Sequence, residues 1–232
     1  MNEFQILEDM LKSKDENNGG RIALIRHAHR LDLPPDERQK NISITPQGEC
    51  IAKILGNNIP IDTSLILSHS GLIRTQKTAE CINLGFKQKG GFTRKLFAIQ
   101  SQYGTYVHSN QIYQWGWRTD FLTQWMKGYI SPEIIDPPQK AVYKILGMLL
   151  DNQKSNCYNP SSHEIYLHVG HDWDIIALQY VGLNLSPEKH SVGFLEGIIM
   201  ERKDTTLRMW RNGHCSSLKL QDFGLNFIGK ER

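Results

Sequence analysis

The chain has 232 residues, 39% of them apolar and 22% charged, and a formal net charge of +3, a composition that fits one sizeable soluble globular domain. No apolar run approaches the roughly 18 residues of a membrane span, and the basic residues are scattered, so neither a membrane nor a nucleic-acid partner is indicated. Cys50, Cys81, Cys157 and Cys215 lie far apart with no CxxC pair, which leaves free thiols as the expectation.

Along the chain, "MNEFQILEDMLKSKDENNGG" opens with Phe4, Leu7 and Leu11 at helical spacing and then breaks. It has neither the basic n-region nor the apolar h-region of a secretory signal, so a cytoplasmic chain is expected, export by a signal-less route aside. "RIALI" (21–25) is a continuous apolar strand. "SITPQGECIAKILG" (43–56) supplies Thr45 as N-cap and Pro46 at the first helical position. "SLILS" (64–68) repeats the strand and "GLIRTQKTAECINLG" (71–85) the helix, with Gly85 suited to a C-cap. Two successive βα units predict a parallel sheet.

From about 90 to 135 the periodicity fades and Tyr103, Tyr106, Tyr113, Trp115, Trp117, Trp125 and Tyr129 crowd among polar residues. This stretch reads as an inserted lid, its aromatics serving packing before recognition. A helix follows from "DPPQKAVYKILGMLLDN", then "EIYLHVGHDWDIIALQYVG" gives a third strand, a polar turn and a helix, and the tail reads as a hairpin around Asp204. The expected fold is one α/β domain spanning 1–232, a three-layer αβα sandwich with a mostly parallel central sheet and the lid at about 90–135.

The chemistry-bearing residues fall just beyond the carboxyl ends of strands, where ligand crevices open. Arg26, His27 and Arg30 follow the first strand, Arg74 lies on the helix after the second, and His171 with Asp172 follows the third. Arginine forks bind phosphate oxygens, helix N-termini add free amides, and an imidazole beside a bound phosphoryl group can act as its nucleophile. Other readings stay open. His27-x-His29 is also how some zinc sites begin, with His171, Asp172 and Asp174 to complete the shell, although the adjoining arginines would oppose a divalent ion. A phosphate-binding module without turnover is the third reading. His29 and His69 lie near the crevice without a motif role.

"LIRHAHR", "ITPQGECIAKILG", "SGLIRTQKTAECI" and "HVGHDWDI" together resemble the histidine phosphatase superfamily, which includes phosphoglycerate mutases and histidine acid phosphatases. The "GHD" and "RMWRNGH" blocks are most similar to the acid phosphatase branch, and Ala28 stands where the family motif carries glycine. The resemblance implies a cofactor-free phosphomonoester hydrolase, or a mutase of the same fold, acting on a phosphorylated small molecule. It implies His27 as phosphorylated nucleophile, Arg26, Arg30, Arg74 and His171 as the phosphate pocket, and Asp172 as proton donor.

Overall fold

The computed structural model describes residues 20–32, 41–99, 119–156 and 164–225, together with Ile6. Seven strands form one mixed sheet in the order β3-β2-β4-β1-β5-β6-β7: β1 (Arg21–Arg26), β2 (Ser64–His69), β3 (Thr93–Ala98), β4 (Glu164–Gly170), β5 (Gly197–Lys203), β6 (Thr206–Arg211) and β7 (His214–Lys219). The first four run parallel, and the last three add antiparallel. The helices are α1 (Pro46–Asn58), α2 (Ile73–Gln88), α3 (Thr119–Met126), α4 (Pro138–Asn156) and α5 (Asp172–Leu183). None among the described residues is long and apolar enough to cross a membrane.

The continuous apolar run of β1 follows from burial on both faces. Ile22 and Leu24 enter the core shared with α3, α4 and α5, while Ala23 and Ile25 enter the core shared with α1 and α2. Adjacent β1 and β4 therefore send their following helices to opposite faces of the sheet, the arrangement that opens a crevice at the strand ends. His27 N–H to the Gly170 carbonyl (3.1 Å) and Ser70 N–H to the Val169 carbonyl (3.2 Å) tie the three strand ends β1, β2 and β4 together there.

Local sequence explains the helix starts. Thr45 Oγ1 accepts from Gly48 N–H at 3.1 Å and Pro46 occupies the first turn of α1, as the N-cap preference requires. Gly48 lets α1 close on the loop after β1: a Cβ there would lie 2.6 Å from the His29 carbonyl oxygen. Gly85 is not the C-cap that the sequence suggested, because α2 continues to Gln88. It allows close helix contact instead: a Cβ would sit 1.9 Å from the Lys53 carbonyl, as one on Gly56 would sit 2.0 Å from that of Ile82.

Within the expected lid, residues 93–98 form edge strand β3, paired to β2, and residues 119–126 form α3, where Phe121 and Trp125 are buried. Trp125 Nε1–H donates to the Asp136 carbonyl at 2.7 Å, so this tryptophan packs the core, while residues 100–118 lie outside the described part. The hairpin at Asp204 is present, with φ +54° at the turn, and a second turn at Asn212-Gly213 (φ +49° and +81°) adds β7, the positive-φ pair favoured in two-residue hairpins.

Candidate active site

Of the six residues singled out from the sequence, Arg26, His27 and Arg30 lie at and after the end of β1, His171 and Asp172 just after β4, and Arg74 on the first turn of α2, which follows β2. His27 is buried, and its Nδ1 lies 2.8 Å from the Ala28 carbonyl. A carbonyl only accepts, so Nδ1 carries the proton and Nε2 the lone pair. Ala28 is held in turn: its N–H donates to Thr78 Oγ1 (3.0 Å), whose hydroxyl donates to the Arg74 carbonyl (2.7 Å), joining the loop after β1 to α2. Burial holds the His27 pKa well below its usual value; the bond to Ala28 opposes this, and the charges of Arg74, Arg26 and Arg30 lower it further. The nucleophile candidate is thus a neutral imidazole.

Arg26 is fixed on three sides. One terminal nitrogen donates to the Val192 carbonyl at 2.7 Å, the other pairs with Asp172 Oδ2 at 3.1 Å, and the guanidinium lies over the Phe194 ring, 4.3 Å from its centroid. Asp172 Oδ1 also accepts from Trp173 N–H at 3.1 Å. The Nε–H groups of Arg26 and Arg30 are buried without an acceptor among the described residues, and a donor in that state is one that an anionic oxygen satisfies. His171, at the N-cap of α5, places Nε2 3.0 Å from Ser70 Oγ. Its pKa too is well below the ordinary value, through burial first and then the charges of Arg74, His27, His168 and Arg26.

Among the described residues no group of three or more His, Cys, Asp or Glu could hold a metal ion, and His29 turns Nδ1 to Thr45 Oγ1 (3.0 Å). His69 is buried beside the site, its Nδ1 accepting from Gly71 N–H at 3.2 Å.

Phe194 was not singled out from the sequence. It stacks on Arg26 and lies 5.7 Å from the His27 ring and 5.0 Å from that of His29. Its loop is clamped by buried Arg211, which pairs with Glu196 and donates to the Ser191 carbonyl, both at 2.9 Å. A lone Phe in "HSVGFLEG" carries no motif, so only proximity reveals it.

Titration behind the site yields a stability expectation. Fully buried His168, bonded to Ser68 Oγ at 2.7 Å, has its pKa pushed down to about 3 by burial and then by His69. The unfolded chain protonates this histidine near 6.5. Between those values the unfolded state therefore binds more protons, and stability falls with falling pH, by on the order of 3 kcal/mol at pH 4 from this group. His27 and His171 act in the same direction. Buried Asp174 acts oppositely: burial pushes it up to about 7 against a hydrogen bond from the His171 backbone, so its cost grows as pH rises from about 4 to 7 and is relieved by acid. Asp174→Asn should therefore lose more melting temperature than the parent between pH 7 and pH 4. Equal losses in the two proteins by calorimetry would refute this assignment.

No protein-family model matches the chain, and no curated protein matches it. Solved structures do. Bacillus stearothermophilus YhfR is 16% identical with a TM-score of 0.54, over 85% of this chain and 98% of its own. A mycobacterial glucosyl-3-phosphoglycerate phosphatase is 14% identical with a TM-score of 0.51, over 79% and 90%. Phosphoserine phosphatase from Entamoeba histolytica, solved with 3-phosphoglyceric acid, is 19% identical with a TM-score of 0.50, over 86% and 95%. The strand order and these likenesses together show that the chain has the fold of these solved structures.

Proposed function

We propose that the chain is a phosphomonoester hydrolase working through a phosphohistidine on His27, with Arg26, Arg30, Arg74 and His171 binding the phosphoryl group and Asp172 moving the proton. The observation that carries this reading is the His27 ring: Nδ1 is committed to Ala28, and burial and three arginine charges keep the ring neutral, so Nε2 is a lone pair beside donors suited to an anion.

In the first step Nε2 attacks phosphorus, the P–O ester bond breaks, and Asp172 gives its proton to the departing oxygen. Water then attacks the phosphohistidine, the P–N bond breaks, Asp172 takes the water's proton, and phosphate leaves. The arginines hold the equatorial oxygens throughout and stabilise the charge of the transition state. The adjacent His171-Asp172 pair, resembling that of the acid phosphatases, favours transfer to water over transfer to a second substrate. Small phosphorylated acids are the first substrates to try, since a neighbour of the same fold holds 3-phosphoglyceric acid.

The test is turnover of a phosphate-ester panel by the purified protein, insensitive to chelator and competitively inhibited by vanadate. No turnover of any ester in the panel would return the chain to a binding module. The role of Asp172 has its own test. An alkyl alcohol needs a proton to leave and p-nitrophenolate largely does not, so Asp172→Asn should cost about 10²-fold or more on alkyl phosphates and much less on p-nitrophenyl phosphate. Equal losses would make Asp172 only the partner of Arg26.

A further inference from the structure

Ser70 and Thr75 bear no role in the reaction above, yet both are buried polar residues directly behind His171. Thr75 Oγ1 donates to the Leu72 carbonyl at 2.8 Å. The acceptor is a carbonyl and the hydroxyl has one hydrogen, so that hydrogen is committed. Ser70 Oγ lies 3.0 Å from Thr75 Oγ1 and 3.0 Å from His171 Nε2. Thr75 can only accept from Ser70; Ser70, having given its hydrogen to Thr75, can only accept from His171. The direction of every bond in the relay is fixed by the Leu72 carbonyl at its end.

We propose that Ser70 and Thr75 are positioning residues that fix neutral His171 as its Nε2–H tautomer and leave Nδ1 as the lone-pair nitrogen. Burial first opposes protonation of His171, and the titratable groups facing it, Arg74 from α2, His27 and Arg26 from the β1 end and His168 from β4, oppose it further. Ligand-free His171 is therefore neutral, and its tautomer decides which nitrogen can take up a proton. On the hydrolase reading, on which this consequence rests, a phosphate monoanion entering the pocket transfers its proton to Nδ1: the O–H bond of the anion breaks and an N–H bond forms. The resulting imidazolium donates to the dianion through Nδ1 and to Ser70 through Nε2. The ligand thus supplies the charge that the empty pocket rejects.

The experiment is two-bond ¹H–¹⁵N correlation of the histidine rings in the full chain at neutral pH, with His171 assigned from the cross-peaks missing in His171→Asn. The ligand-free protein should show His171 as the Nε2–H form. Thr75→Val removes the acceptor for Ser70, frees that hydroxyl to donate to Nε2, and should admit the Nδ1–H form, whereas Thr75→Ser should retain the original tautomer. An Nδ1–H form in the unmodified protein overturns the proposal whatever the variants do. So does an unchanged tautomer in a folded Thr75→Val protein; should that variant not fold, Ser70→Ala must show mixed tautomers or the proposal fails. Inorganic phosphate at mildly acidic pH, where it is chiefly the monoanion, should convert His171 to imidazolium, and a ring that stays neutral in the phosphate-bound protein overturns the proton transfer. The ligand-free tautomer is read without turnover, so it stands or falls separately from the hydrolase reading. In turnover, Thr75→Val should lower kcat/KM about tenfold, on the scale of one lost hydrogen bond, and Thr75→Ser should restore it.

Discussion

Replacing His27 with alanine is expected to lower phosphate-ester turnover by about 10⁴-fold or more, the scale on which losing a covalent nucleophile is felt. The neighbouring imidazoles are anchored to other partners. His171 stands with its ring centroid 5.6 Å away, but its Nε2 is bonded to Ser70, and His29 is turned to Thr45. The protein should remain folded, because the strand end that carries His27 is held by backbone bonds to Gly170 and Glu196 that do not involve the ring. Unchanged circular dichroism with lost activity is the expected pair of results. The pH profile of the unmodified protein follows from the same electrostatics: since burial and the arginines hold the His27 pKa well below 6.5, loss of rate through its protonation should begin only below that value. A limb centred at or above 6.5 and abolished with His27 would contradict this.

The second large effect is expected at Arg26. Its two terminal nitrogens serve Val192 and Asp172 while its face stacks on Phe194, and its Nε–H is buried without an acceptor among the described residues. A lysine ammonium is a point charge that cannot reproduce a planar fork in these directions. Arg26→Lys should therefore lower kcat/KM by about 10²- to 10³-fold, the equivalent of about 3–4 kcal/mol of transition-state stabilisation, and Arg74→Lys should also fail to restore normal efficiency. The loss at Arg26 should fall on kcat as well as KM, because the substitution also removes the partner of Asp172. A variant with normal kcat and only a raised KM would place Arg26 in ground-state binding alone.

What the sequence disclosed and what it hid divide along a physical line. Residues whose placement follows from neighbours in the chain were legible: the apolar run that ends in Arg26-His27, the Thr45-Pro46 helix start, and the His171-Asp172 pair at the mouth of β4. β3 was hidden because an edge strand buries little, and exposed Arg94, Lys95 and Leu96 erase the apolar run that marked β1 and β2. Gly85 was misread because a glycine near a helix end looks the same whether it turns the chain or admits a neighbouring helix, and only the approach of the Lys53 carbonyl distinguishes them. Phe194, Arg211 and the Ser70-Thr75 relay act across segments distant in sequence, so no local pattern signals them. Their positions became visible only once β1, β2, β4 and the 191–196 loop were brought together.

The central claim is covalent transfer to one imidazole, and rapid quench with ³²P-labelled substrate tests it most directly. During turnover the label should appear on His27 as an acid-labile, base-stable adduct, reach its maximum before steady state, and be absent in His27→Ala. Turnover with no such adduct on His27, or near-normal turnover by His27→Ala, would contradict the account.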